Sequence, residues 1–198
     1  VATLPPAQVT LAFRLVNPLA SVAAKANAAR LITEVSAATK AGIRALIARS
    51  FADSLPPVKT ARLIRDMVGI TERQAQAVLN ARAGWVDAGL SAEVVDGKAM
   101  RYAAKLLRQR ATNIARTESV NSANEGQMAA WQRAANDGTI QPTRTRRRWI
   151  AARGERTCET CGALNGTTVA FDDPWPFGKM SPTRHPQCRC SQGLVFSR

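Results

Sequence analysis

All four cysteines and the only histidine of this 198-residue chain fall within its last 41 residues. They form two short groups, Cys158-Glu-Thr-Cys161-Gly162 and His185-Pro-Gln-Cys188-Arg-Cys190. Two residues between a pair of ligands allow a tight turn to direct both at one ion, and glycine tolerates the backbone that follows. Two such pairs predict a closed tetrahedral site of three thiolates and one imidazole, which is typical of structural and not of catalytic zinc.

The pattern offers five ligands for four positions. We expect the Zn²⁺ ligands to be Cys158, Cys161, His185 and Cys188, with Cys190 as the substitute ligand. Two disulfides are an alternative, and four reduced cysteines without a shared role are another. No secretory signal is recognisable, and disulfides leave the histidine unexplained. Because a module of this size has little core, the metal would contribute much of its folding free energy.

The remainder of the sequence is typical of packed helices. Aromatic residues make up only 5% of the chain, and alanine recurs throughout, which favours helices over a β-sandwich. Apolar residues recur at helical spacing over several proline-free stretches. The predicted helices are one long helix from about Leu19 to Phe51, one from Pro57 to Val68 capped by Gly69, one opened by a capping box at Thr71 to Gln74, and a helical stretch from Gly97 to Asn136.

These patterns predict a mainly α protein, with an elongated helical body and a small C-terminal zinc-knuckle α+β module. After residue 140, glycine, proline and cysteine crowd a stretch that is too short for long helices. We therefore divide the chain into an N-terminal helical segment suited to binding a partner (residues 1–54), a helical body (55–140) and a cysteine/histidine zinc-binding module (141–198).

The charge of the chain predicts a polyanionic partner. Its 28 basic and 14 acidic residues give a net charge of +14, and nucleic acid is the first candidate for a surface this basic. Arginine forks match phosphate geometry, so we expect DNA phosphate contacts from Arg144, Arg146, Arg147 and Arg148. Such binding is independent of sequence and weakens steeply with salt. The chain has no apolar run of 18 residues, which predicts no membrane partner.

Two other functions are compatible with parts of the sequence. A helix-turn-helix DNA-binding regulator would use residues 57–82, although Arg65 replaces the small residue expected four positions before the turn glycine. A nuclease-related or nucleic-acid-processing toxin is the other alternative. The sequence has no His-x-Glu motif of a zinc deaminase, no phosphate loop and no nucleophile elbow. We therefore expect a protein that is not an enzyme.

Three motifs follow one another along the chain. They are Arg110-Ala-Thr-Asn-Ile-Ala-Arg116-Thr117-Glu118 with Asn121, Asn124 and Gly126; Trp149 with Thr157-Cys-Glu-Thr-Cys-Gly-Ala-Leu-Asn-Gly166; and His185-Pro-Gln-Cys-Arg-Cys190. In this order they resemble the phage Mu F-like head-morphogenesis family of minor capsid proteins. The resemblance covers about residues 55 to 192, and an upstream helical region, from Pro56-Pro57 to Arg73-Gln-Ala-Gln-Ala77, is also similar to that family.

The resemblance implies a structural minor head protein of a tailed bacteriophage. Such a protein is assembled in the host cytoplasm and lies in the virion, inside the capsid near the portal. Its implied partners are the portal protein, a major capsid or scaffold protein, and packaged double-stranded DNA, with a role in head assembly, DNA packaging or ejection. The resemblance also implies structural roles for five residues of the first motif, which we call the signature residues: Arg110, Arg116, Thr117, Glu118 and Asn124. Glu118 is suited to orienting a zinc ligand or meeting an arginine of the 144–148 run.

Overall fold

The structure, a computed structural model, describes residues 18–27, 32, 35–152 and 154–196. A mainly α body precedes a small antiparallel sheet, as the sequence predicts. The elements in chain order are α1 (Pro18–Asn27), α2 (Ala37–Ala52), α3 (Pro57–Arg65), α4 (Glu72–Asp87), α5 (Ala92–Asn136), a 3-10 turn (Pro142–Arg144), β1 (Thr145–Ile150), α6 (Glu159–Ala163), β2 (Thr168–Ala170) and β3 (Ser191–Phe196).

The N-terminal region differs from the prediction. A single helix from Leu19 to Phe51 is wrong, because α1 and α2 are separate helices that pack against each other. Ser36 precedes α2 in an extended conformation, and its hydroxyl accepts a hydrogen bond from the backbone N–H of Thr39 at 3.1 Å. A serine in this position satisfies one of the unpaired N–H groups that begin a helix. Apolar periodicity alone does not register such a start.

The two helices that follow are also arranged differently from a helix-turn-helix pair. α3 ends at Arg65 and not at Val68, so Gly69 does not cap it. α4 opens with the predicted capping box, in which Thr71 and Gln74 each accept a hydrogen bond from the backbone N–H of the other. The main contacts of α3 and of α4 are with α5, whereas the two helices of a DNA-reading pair pack on each other.

The longest element, α5, organises the helical body. Its 45 residues span about 68 Å at 1.5 Å per residue, and it contacts α1, α2, α3 and α4. Burying one isoleucine side chain fully stabilises a fold by about 1.5–3 kcal/mol. The main core unites residues from both sides of residue 54 and consists of Ala24, Ile32, Ile43, Ile47, Ala48, Ala61, Ile64, Val68, Ala111 and Ala115.

The C-terminal module packs on the end of α5. β1 lies between β2 and β3 and is antiparallel to both. The rings of Trp149 and Trp175 meet edge to face at 5.1 Å in the centre of the module. A second cluster, formed by Met128, Trp131, Ile140 and Phe171, joins the module to α5. Within the described residues, no helix combines the length and the apolar character that crossing a bilayer requires.

Candidate metal centre

The two predicted ligand pairs meet at one site. His185 Nε2 lies 3.3 Å from Cys158 Sγ and 3.3 Å from Cys161 Sγ. The sulfur of Cys161 lies 3.9 Å from that of Cys188. Around a tetrahedral zinc ion, with bonds of about 2.3 Å to sulfur and about 2.0–2.1 Å to nitrogen, ligand atoms lie roughly 3.5–3.8 Å apart. These three spacings are close to that geometry, so the cluster around Cys161 can hold a metal ion.

Cys161 is the central residue of the cluster. It lies within 4.8 Å of Cys158 and His185 in one group of ligands, and within 4.8 Å of Cys188 and Cys190 in another. The fourth coordination position therefore has two candidate thiolates. All four cysteines are free, and the 3.9 Å between the sulfurs of Cys161 and Cys188 is nearly twice the roughly 2.05 Å of a disulfide. The structure therefore has a cluster of thiols and not the disulfides considered as an alternative.

Helix α6 positions the first ligand pair. Cys158 is its N-cap residue, and its sulfur accepts a hydrogen bond from the backbone N–H of Cys161 at 3.4 Å. Hydrogen bonds from Cys161, followed by the interaction with His185, lower the pKa of the Cys158 thiol to about 7. The thiolate, which is the metal-binding form of cysteine, is thus accessible to Cys158 near neutral pH.

The other thiols are buried. Cys161, Cys188 and Cys190 are each 2% exposed and pack with Trp149 and Trp175. Burial raises the pKa of the Cys161 thiol and of the Cys190 thiol, since a thiolate is costly away from water. A bound cation reverses that preference, because coordination deprotonates a thiol outright. Metal binding and thiol ionisation are therefore coupled at this site.

The second ligand pair is held by a tight turn. The Nδ1 atom of His185 lies 2.7 Å from the carbonyl oxygen of Pro186. When Nδ1 carries the proton and donates it to that carbonyl, the lone pair of the ring lies on Nε2, which faces the sulfurs. This is the tautomer that binds a metal through Nε2. Gln187 has a φ of 61°, and the backbone N–H of Cys188 donates to the His185 carbonyl at 3.1 Å. This turn directs the imidazole and the second thiol to the same side.

Two signature residues on α5 bond to the backbone of that loop. Thr117 Oγ1 accepts a hydrogen bond from the backbone N–H of Gln187 at 2.8 Å. Asn124 donates from Nδ2 to the carbonyl oxygen of Cys190 at 3.0 Å. Both side chains are buried. The sequence predicts a structural role for these residues, and the structure shows that each bonds to the backbone of the ligand loop.

Sequence reasoning missed two polar residues beside this loop, Ser181 and Thr183. Asn121 Oδ1 accepts a hydrogen bond from the hydroxyl of Ser181 at 3.3 Å, and that hydroxyl also accepts one from the backbone N–H of Thr183 at 3.3 Å. Thr183 Oγ1 in turn lies 3.4 Å from Asn124 Nδ2. Serine and threonine carry no ligand motif, so their position shortly before His185 was the only available signal.

The remaining signature residues lie in different surroundings. Arg110 is 8% exposed and donates to the Gly69 carbonyl at 3.0 Å, which ties α5 to the loop before α4. Glu118 is 1% exposed and lines a cavity of about 70 Å³ with Thr117 and Pro186, next to the second ligand pair. Arg116, by contrast, is exposed and forms no ion pair with any part of the chain that the structure describes.

Arg147 is not available for DNA, so the prediction of a phosphate contact is wrong for this residue. Its side chain is 0% exposed. It donates to the carbonyl oxygen of Met180 at 2.7 Å, to Gln192 Oε1 at 3.1 Å and to the carbonyl oxygen of Asp173. Side chains alternate between the two faces of a strand, and Arg147 shares the inner face of β1 with Trp149.

The other three arginines of this run are at the surface. Arg144, Arg146 and Arg148 are exposed. Arg146 donates to both the hydroxyl and the carbonyl oxygen of Thr168 on the neighbouring strand. A contact of these three residues with DNA phosphates stays a prediction.

Fold and site together define a helical protein whose C-terminal module is closed by a cluster of cysteines and one histidine. A sequence profile described as phage Mu protein F like protein matches residues 41–193, from within α2 to within β3. The chain belongs to the phage Mu F-like family, which confirms the resemblance seen in its motifs. Membership indicates a bacteriophage head-morphogenesis protein. Comparison with curated proteins and with solved structures gave no significant match.

Proposed function

We propose that this protein is a structural minor head protein of a tailed bacteriophage, bound at the portal vertex inside the capsid and in contact with packaged DNA. The family match over residues 41–193 carries the proposal. The site geometry supports a structural role, because Thr117 and Asn124 are buried and bond to the backbone of the ligand loop. Its partners would be the portal protein, a major capsid or scaffold protein, and double-stranded DNA. Its role would lie in head assembly, DNA packaging or ejection.

Zinc is the ion that we propose for the cysteine/histidine cluster. Three thiolates and one imidazole suit zinc, whereas carboxylate and carbonyl oxygens suit magnesium, calcium and manganese. Cys158, Cys161, His185 and Cys188 would hold the ion, with Cys190 as the substitute for Cys188. Four protein ligands leave no open coordination position for a substrate, so the ion would stabilise the module and perform no catalysis.

Metal analysis of the purified full-length chain tests this assignment. We expect one zinc ion per chain by mass spectrometry of the native protein and by elemental analysis. Cys188→Ser should lose the ion, while the matched variant Cys190→Ser should keep it. The reverse result would make Cys190 the ligand. A wild-type chain that neither retains nor takes up zinc would refute the proposal.

Cross-linking mass spectrometry on purified, DNA-filled particles of the source phage tests the proposed location. We expect low-copy cross-links between this chain and the portal protein, and the same cross-links in particles emptied of DNA. Cross-links to the major capsid protein alone would contradict the portal location. Absence of the chain from particles would contradict the assignment as a minor head protein.

A further inference from the structure

Exposed basic residues form a stripe along one side of α5. Arg101, Lys105, Arg108 and Arg116 follow one another at intervals of four, three and eight residues, which places them on one face of a helix. The sequence has no Asp or Glu from position 97 to 117. None of the four forms an ion pair with any of the described residues. The stripe spans about 22 Å at 1.5 Å per residue.

α3 brings two further arginines beside Arg108 of this stripe. Arg62 and Arg65 line a groove of about 200 Å³ between α3 and α5, together with Arg108 and Thr112. The other lining residues are a valine, two alanines and no carboxylate. Arg65 pairs with its neighbour Asp66, at 3.2 Å, and an exposed pair of this kind is weak. The groove therefore presents positive charge that no acidic side chain of its lining neutralises.

We propose that the groove lined by Arg62, Arg65 and Arg108, together with the exposed stripe that continues along α5 on either side of Arg108, binds the sugar-phosphate backbone of double-stranded DNA. Guanidinium groups donate paired hydrogen bonds to phosphate oxygens. The three arginines of the groove and the stripe that extends from Arg108 suit a backbone that lies along α5. Contacts of this kind position a duplex without reading its sequence, as a protein that meets any packaged DNA requires. The inference rests on the proposed function for the identity of the polyanion.

Two observations favour this groove over the arginines of β1. Arg147 is buried and hydrogen-bonded within the module, and Arg146 donates hydrogen bonds to Thr168. Two of the four arginines from 144 to 148 therefore already bond to other residues of the module. Arg116 also differs from the other signature residues singled out by the sequence, all of which are buried. A signature residue that points to solvent is suited to a contact outside the chain.

The test compares two pairs of substitutions that remove the same charge. The zinc-loaded full chain is titrated into a fluorescently labelled duplex of random sequence, and anisotropy is followed over a range of salt concentrations. One variant is Arg62→Gln/Arg108→Gln, and the matched comparison is Arg144→Gln/Arg148→Gln, which removes two of the phosphate contacts predicted for the β1 region. Removing one arginine–phosphate interaction should lower the log–log salt slope by about 0.9, which weakens binding about eightfold at roughly 0.1 M salt. The groove variant should therefore bind roughly 60-fold more weakly, with a slope smaller by about 1.8.

Several results separate this proposal from its rivals. Arg144 and Arg148 are themselves predicted to contact phosphates, so their variant should lose affinity, but less than the groove variant does. If its affinity falls as much as that of the groove variant, or more, the groove is not the main binding surface. Arg101→Gln/Arg116→Gln, on the same stripe but away from α3, should reproduce the loss, and unchanged thermal unfolding would show that each variant is folded. A wild-type chain that fails to bind the duplex overturns the inference. Portal cross-links in particles would still stand in that case, so the two proposals fail separately.

Discussion

Replacing Gly126 by alanine tests how closely α1 is docked on α5. A Cβ atom at Gly126 would lie 2.5 Å from the backbone nitrogen of Ala20, 2.6 Å from its Cα and 2.9 Å from the carbonyl carbon of Leu19. These are backbone atoms of α1, so no side-chain rotation can relieve the clash. The missing side chain at Gly126 therefore allows the two helices to cross in backbone contact.

The magnitude follows from two opposing contributions. Alanine is favoured over glycine inside a helix by about 1 kcal/mol. Overfilling a packed site costs about 1–3 kcal/mol, and a clash with backbone belongs at the upper end because α1 must move as a unit. That movement would loosen the packing of Ala20, Ala23 and Ala24, which are all buried. We expect a net loss of about 2 kcal/mol in the free energy of unfolding, or roughly 4–8 °C in Tm.

Gly97 provides the matched control, because it lies in the same helix. The nearest atom to a Cβ there is the Arg101 guanidinium, at 3.4 Å, which is the mobile end of a long side chain. Gly97→Ala should therefore stabilise the protein by up to about 1 kcal/mol. Thermal and urea unfolding of both variants measure the two changes. If Gly126→Ala were as stable as wild type or more stable, the backbone contact between α1 and α5 would be refuted.

Three further predictions concern the module. Chelation of zinc should abolish the near-UV circular dichroism of the Trp149–Trp175 pair and leave most of the helical far-UV signal. Loss of both signals together would show that the module and the helical body unfold as one unit, which would contradict the prediction. Asn124→Ala should weaken zinc binding about 10- to 100-fold, as loss of a group that supports ligands does, in competition with a chromophoric chelator; unchanged affinity would mean that the bond to the Cys190 carbonyl does not support the site. Arg147→Met should destabilise the fold by about 3 kcal/mol, because buried acceptors lose a charged donor, whereas the exposed Arg148→Met should change stability by less than about 0.5 kcal/mol. Equal effects in thermal unfolding would contradict the burial of Arg147.

The clustering of the cysteines and the histidine could be predicted from the sequence because the two pairs are defined by local spacing. Two residues between Cys158 and Cys161, and two between His185 and Cys188, already fix how each pair can face one ion. The choice between Cys188 and Cys190 could not be predicted, since both lie within reach of Cys161. That choice depends on the path of the loop, which bonds to Asn124 in a distant helix.

The sequence-based predictions were wrong, or incomplete, where contacts between distant parts of the chain determine the structure. The inward direction of Arg147 follows from strand alternation with Trp149, but the sequence alone did not show that residues 145–150 form a strand. The break before α2 had a local signal in Ser36, and the regular recurrence of apolar residues concealed it. The close crossing at Gly126 depends on α1, whose position no spacing rule specifies.

The bonds between α5 and the ligand loop join segments that are synthesised at different times. Thr117 and Asn124 leave the ribosome long before Gln187 and Cys190, whose backbone they bind, and His185 follows Cys161 by 24 residues. The helix is therefore a completed template when the final ligands emerge, and until then the tryptophans beneath the site lack their cover. Under the proposed zinc assignment, a shortage of zinc would leave Trp149 and Trp175 uncovered for longer after synthesis.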